Sequence, residues 1–197
     1  MNVLRVGATQ LYPASMLAEL TVQLAAVPER AWPRFTALHA APDALPHPLR
    51  HAACVSSISV LATGCGWVLR PGATSAGVVL HALAALVAYL GGAAVAIELS
   101  PVCIVAPDAA PQAISRFTSG AVLPVAVSGI GNLVPFLPMS FVLALAGAAA
   151  SVHSGWIGAS AMLALEGQPR KRAAAYPAGM AVGLVLLATL ARTVLPT

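Results

Sequence analysis

Five polar side chains stand inside or at the edges of long apolar runs: His81, Glu98, Asn132, His153 and Arg192. Ionisable groups at membrane depth are functional candidates, because a charge left unpaired in hydrocarbon is costly. Glu98 falls near the end of its run, where a carboxylate reaches water. Arg192 also lies near a run's end, where a long basic side chain can snorkel to the interface. His81 is one turn in. Asn132 and His153 are then the deeper pair, able to share one interhelical hydrogen bond or to line a proton or solute path. Ser151, His153 and Ser154 are close in sequence, but no third group orients the imidazole as nucleophilic catalysis requires. The chain has no GxSxG, no HExxH, no phosphate-cradling glycine loop and no Cys/His pair at metal-ligand spacing. The expectation is a non-enzymatic protein with no cofactor and no metal.

Small residues form a second pattern. Gly147, Ser151, Gly155 and Ala159 recur every fourth residue, which places them on one helix face and lets another helix approach closely. Gly179 and Gly183 are the expected partner face. Cys54 and Cys65 share one run. On a helix they stand about 16 Å apart along the axis, too far for a disulfide. With Cys103 they are expected to be buried thiols acting as small apolar residues.

The elements that must position these residues follow from composition. The chain has 197 residues, of which 59% are hydrophobic and only 8% charged, against about 25% charged in soluble domains. Mean hydropathy is +0.86. So few charges cannot cover a water-soluble globule of this size, which excludes an ordinary soluble enzyme, a disordered chain and a disulfide scaffold. The fold class expected is all-α: a polytopic membrane bundle of five transmembrane helices with an N-terminal amphipathic segment. Residues 1–50, broken by Pro13, Pro28, Pro33, Pro42, Pro46 and Pro48, contain no spanning run. Within them Leu17, Leu20, Leu24 and Val27 make one apolar stripe, read as a short helix lying on the membrane or on the bundle. Trp32 suits an interface. Residues 51–197 hold the spans, at about 51–69, 76–99, 118–136, 139–165 and 173–195, each matching or slightly exceeding a bilayer crossing. Residues 100–117 read as a loop and 166–172 as a polar turn. Trp67 and Arg70 read as interface anchors before a tight Arg70-Pro-Gly turn. Pro124, Pro135 and three glycines make 118–136 a kinked helix, or a re-entrant loop.

Charge sets the expected orientation. With the N-terminus in the cytoplasm, Arg5, Arg30, Arg34, Arg50, Arg116, Arg170, Lys171 and Arg172 fall inside and only Arg70 and Arg192 outside, as the positive-inside rule asks. The C-terminus is then periplasmic. No signal peptide is visible, so the first span acts as the insertion signal. The net charge of +4 is read as topology rather than as a nucleic-acid surface. Nine of the ten basic residues are Arg, which points to a GC-rich bacterial genome and hence an inner membrane.

Several short motifs resemble the bacterial branch of the Yip1-domain family of polytopic membrane proteins. They are Gly129-Ile-Gly-Asn132-Leu-Val-Pro135, the long run 139–165, Gln168-Pro169-Arg-Lys-Arg172-Ala173 with Tyr176 opening the last helix, and Pro28-Glu-Arg-Ala-Trp32. The resemblance implies five spans and a cytosolic N-terminus. Gly158-Ala-Ser160 departs from the family's Gly-Leu-Pro, the turn at 170–172 is purely basic, and the acidic motif tied to Rab binding is absent. Vesicle traffic is therefore not carried over.

The function expected is a membrane scaffold or accessory subunit that packs against lipid, other membrane proteins or itself, with Arg170, Lys171 and Arg172 meeting anionic headgroups. One alternative is a small-solute or ion permease built on the broken third span with Asn132 and His153. Another is a minor subunit of a large bioenergetic complex.

Overall fold

A computed structural model describes residues 14–40, 48–133 and 137–194 of the chain. Arg5, Pro13, Pro42, Asp43, Pro46 and Pro135 lie outside these, and the side chain of Leu17 lies outside the described side chains. The described residues form α1 (Ala14–Ala26), α2 (Pro28–Ala40), α3 (Pro48–Val68), α4 (Ser75–Ala85), a π-helical turn (Leu86–Gly91), α5 (Gly92–Cys103), α6 (Pro111–Ser128), a 3₁₀ segment (Gly129–Leu133), α7 (Leu137–Ala161) and α8 (Gly167–Val194). α4, the π turn and α5 are one continuous span. Five helices are long and apolar enough to cross a membrane: Pro48–Val68, Ser75–Cys103, Pro111–Leu133, Met139–Ala161 and Gly167–Val194. This is an all-α, multi-pass membrane architecture.

Local chemistry explains the helix starts. Pro48 and Pro111 open their helices at a position where the missing N–H costs nothing. Thr74 caps α4, its hydroxyl accepting from the Gly77 amide at 3.0 Å. Gly72 holds φ +77° in the turn after Arg70, a left-handed conformation that a side chain would resist. The expected loop 100–117 shrinks to 104–110, because Pro111 starts a helix rather than interrupting a loop. The expected polar turn likewise shortens: Arg170, Lys171 and Arg172 already ride on the first turns of α8. Ala164 at φ 50° and Gly167 at φ 59° reverse the chain before it.

α6 is the centre of the bundle. Two-thirds of its spanning window (67%) is buried, against 28–47% for the other four, and it packs on α1, α3, α5, α7 and α8. The small-residue ladder on α7 makes this possible. A Cβ on Gly147 would meet Ser128 and the Pro124 carbonyl, and one on Gly155 would lie 3.6 Å from Ala121 and 3.3 Å from Pro177. Ser151 Oγ accepts the Val125 amide at 3.0 Å. Ala159 closes the ladder, fully buried. Gly147 and Ser151 thus admit α6, and Gly155 admits both α6 and α8. Gly179 and Gly183, expected to face it, have nothing within 4 Å of where a Cβ would stand, because they lie on the outward side of α8.

The N-terminal helices are part of the same core. Leu20, Leu24, Ala31, Trp32 and Phe35 share one cluster with Phe117, Leu123 and Ala159, so residue 50 separates no independent core. Val27, the last residue of the expected stripe, is exposed. Trp32 is no interface anchor: it is 0% exposed, stacks edge-on against Phe35 at 5.2 Å, and donates Nε1–H to the Ser154 carbonyl at 2.8 Å. Its ring fills the space left by Gly158, where any Cβ would collide with it. Gly158→Ala is therefore expected to cost about 1–3 kcal/mol through overpacking. Gly183→Ala, on an open face, is expected to be neutral or to stabilise by up to about 1 kcal/mol through helix propensity. Thermal unfolding of the two variants in detergent checks the contrast.

The cysteines also differ from expectation. Cys54, Cys65 and Cys103 are free and exposed on the outside of the bundle. A lipid-facing surface accepts a small apolar thiol as readily as a core does.

Candidate functional site

The polar side chains gather at the end of the bundle where α3, the 3₁₀ segment and α8 finish and α4 and α7 begin. Short connections make successive spans antiparallel, so these termini share one end. Asn132 sits in the 3₁₀ segment that ends the third span, 6% exposed. Its amide donates to Thr63 Oγ1 of α3 at 2.8 Å, and Thr63 in turn donates to the Ser59 carbonyl at 2.8 Å. Arg192, in the last turns of α8, points inward: Nη1 donates to Asn132 Oδ1 at 2.6 Å and to Ser140 Oγ of α7 at 2.6 Å. Tyr89 comes from the π turn, a helix irregularity frequent at functional sites, and stands beside Asn132 on the lining of the same voids. Asn132 thus bonds the first and last spans to the third, and Arg192 adds the fourth through Ser140.

His81 stands beside this group on α4, 1% exposed. Its Nδ1 lies 2.8 Å from the Gly77 carbonyl, so that nitrogen carries the hydrogen and Nε2 faces inward. The imidazole stacks on Trp67, centroids 3.4 Å apart. Arg70 lies over the other side of this pair, its guanidinium carbon 3.9 Å from the Trp67 ring. Burial lowers the Arg70 pKa from its ordinary value, though a guanidinium stays protonated at neutral pH. Trp67, expected at the interface, is instead 2% exposed, enclosed by one cation and one imidazole.

Two small voids flank Arg192. Each is about 10 Å³ and both are lined by Tyr89, Asn132 and Ala188. His81 and Thr63 complete the first, Ser140 the second.

His153 is elsewhere. Its side chain is 55% exposed and its Nε2 lies 3.3 Å from Glu29 of α2, at the opposite end of the bundle. The expected Asn132–His153 pair therefore does not form. Ser151 and Ser154 are buried on the inner face of α7, whereas His153 lies between them on its outer side. Arg192 differs from expectation as well, since it bonds inward rather than snorkelling. Glu98 is exposed.

A second feature lies at the basic end. α7 and α8 enclose an open groove of about 410 Å³. Val152, Ala174 and Ala178 give it an apolar floor, and His153, Trp156 and Lys171 a polar rim. Arg170 folds back over Trp156 at 4.3 Å and donates Nε–H to its carbonyl at 3.0 Å. Lys171 and Arg172 remain exposed. Among the described residues, no three His, Cys, Asp or Glu side chains converge as metal ligands.

Sequence reasoning misses Tyr89 and Trp67 as site residues and, placing His81 one turn in, does not foresee that it faces the interior. One signal for His81 is present: Gly77, His81 and Ala85 recur every fourth residue and are the buried face of α4, so the small neighbours mark His81 as inward. No family model matches the chain, and neither a curated protein nor a solved structure matches it.

Proposed function

We propose that this is a non-enzymatic scaffold or accessory protein of a bacterial inner membrane, with its N-terminus and basic loops cytoplasmic, which seats an anionic lipid in the α7–α8 groove. The groove carries the reading. Its floor is alanine and valine at membrane depth, and its rim holds Lys171 and Trp156, the residue types that favour the headgroup level. Arg172 is exposed on the next position of the helix. Lipid-facing apolar residues such as Leu83, Val87, Val152 and Leu186 leave broad surfaces for lipid, a partner membrane protein or a second copy. The Yip1-like motifs contribute no part of this argument. The permease alternative drew on the broken third span with Asn132 and His153, and the separation of these two residues favours the scaffold reading over it.

Lipid retention after purification tests the reading. In vesicles containing phosphatidylglycerol, the wild-type chain is expected to retain that lipid in preference to phosphatidylcholine. The double variant Lys171→Gln, Arg172→Gln should lose about 2 kcal/mol of that preference, at about 1 kcal/mol per basic residue near an anionic surface. Arg170 is left intact because it braces Trp156. Equal retention of both lipids by wild type, or an unchanged preference in the double variant, overturns the reading.

A further inference from the structure

Among the described residues, buried donors outnumber their acceptors at the Arg192 end of the bundle: Arg192 Nε, Arg70 Nη2 and Trp67 Nε1 are buried without hydrogen-bond partners there, and so is His81 Nε2. Native structures leave few such atoms, and each calls for an explanation such as a bound water or ion. The charge balance decides between these. Among the described residues Arg192 bonds only to neutral oxygens, from Asn132 and Ser140, and Arg70 is a second cation close enough to act on it electrostatically. Of the described carboxylates, Glu19 pairs with Arg34 and Glu29 with His153, while Glu98, Asp108 and Glu166 are exposed. None bonds to Arg192. A water molecule would satisfy the Nε–H but put no negative charge beside the two guanidiniums, whereas an anion does both.

The space restricts which anion. The void lined by His81, Tyr89, Asn132, Thr63 and Arg192 leaves about 10 Å³ for the centre of a small particle, room for one monatomic or water-like species and not for a polyatomic group. Phosphate, sulfate and carboxylates are too large. We propose that this void is a binding site for one monatomic anion of the halide class, held by Arg192 Nε–H and the Tyr89 hydroxyl, and taken up together with a proton on His81 Nε2. The proton follows from geometry. Nδ1 is committed to the Gly77 carbonyl, so a neutral His81 presents a lone pair to the void, which repels an anion, while the imidazolium presents a donor. The charged and titratable groups facing His81 are Arg70 beyond Trp67 on the α3 side, Arg192 from α8 and Tyr89 from the π turn. Two of these are cations, so a third charge on His81 enters only with an anion beside it, and the pair leaves the net charge of the site unchanged. Halide affinity therefore rises as pH falls and is lost as His81 deprotonates.

The test is thermal unfolding of the full chain in detergent against chloride, bromide and sulfate at matched ionic strength, below and above neutral pH. A ligand that binds only the native state raises the midpoint saturably. Chloride and bromide are expected to do so, more strongly at the lower pH, and sulfate is not. His81→Phe keeps an aromatic ring on Trp67 but cannot accept the proton. It is expected to weaken halide binding about tenfold or more and to abolish its pH dependence. Halide and sulfate acting alike, no halide effect at all (water alone in the void), or a pH-dependent halide effect that survives in His81→Phe would each overturn the proposal.

Discussion

Trp32→Ala is expected to release the N-terminal helix pair from the bundle and to lower stability by about 3–5 kcal/mol, the range for removing a fully buried large aromatic. The ring is 0% exposed and lies between Phe35 and Phe117, with centroids 5.2 and 5.9 Å away. It also carries a polar tie, since Nε1 donates to both the carbonyl and the hydroxyl of Ser154 on α7. The site lies near the basic end of the bundle, where water competes for exposed apolar surface, so burial is worth its full hydrophobic value there. The loss should be local. α1 and α2 are held by this cluster, by His153–Glu29 and by little that reaches the far end. Trypsin should then cut faster at the exposed Arg30 and Arg34 while the fragment from α3 onward stays folded. Trp32→Phe separates the contributions: it keeps most of the apolar contact and loses the hydrogen bonds, costing about 1 kcal/mol beyond the volume change. Unchanged protease resistance in Trp32→Ala would show that the helix pair is held elsewhere.

How much of this is legible in the sequence differs from residue to residue. The five spans are, because eighteen or more apolar residues leave a backbone no solution in lipid but a helix. Their ends are not. Residues 111–117 look like loop because Pro111 and Arg116 are polar or helix-breaking, yet the part of α6 near the headgroups needs no apolar sequence and proline starts it well. Trp32 and Trp67 mislead for one reason: aromatic rings are enriched at membrane interfaces, and that prior says nothing about a glycine opposite, such as Gly158, that makes room for the ring inside. His153 is legible after all. The ladder Gly147, Ser151, Gly155, Ala159 fixes the inner face of α7, and a residue two positions from Ser151 points about 200° away from it. The network around Asn132 is half legible. Asn132 is marked by its depth in an apolar run, but its neighbours Thr63, Tyr89 and Arg192 come from three other spans, and only tertiary packing brings them together.

That convergence makes Asn132→Leu the second large effect. Asn132 bonds to Thr63 of α3 and Arg192 of α8, with Tyr89 of the second span beside it. A neutral hydrogen bond between spans is worth about 0.6 kcal/mol on average, and one to a charged partner about 1.5–3 kcal/mol. Together these predict a loss of about 2–4 kcal/mol for Asn132→Leu. Arg192→Met should cost less, though it removes the larger group. Taking away the acceptor leaves a half-buried guanidinium with Ser140 as its one described acceptor, and an under-bonded buried charge is more damaging than an absent one. Taking away the arginine leaves one neutral carbonyl oxygen of Asn132 unpaired, a smaller penalty than a stranded charge. The double variant is accordingly expected to be more stable than Asn132→Leu alone, because the second substitution removes the stranded charge. Urea or thermal unfolding of the three variants measures the cycle. A tolerated Asn132→Leu, or an Arg192→Met more damaging than it, would mean that Arg192 contributes through packing and not through the bond to Asn132.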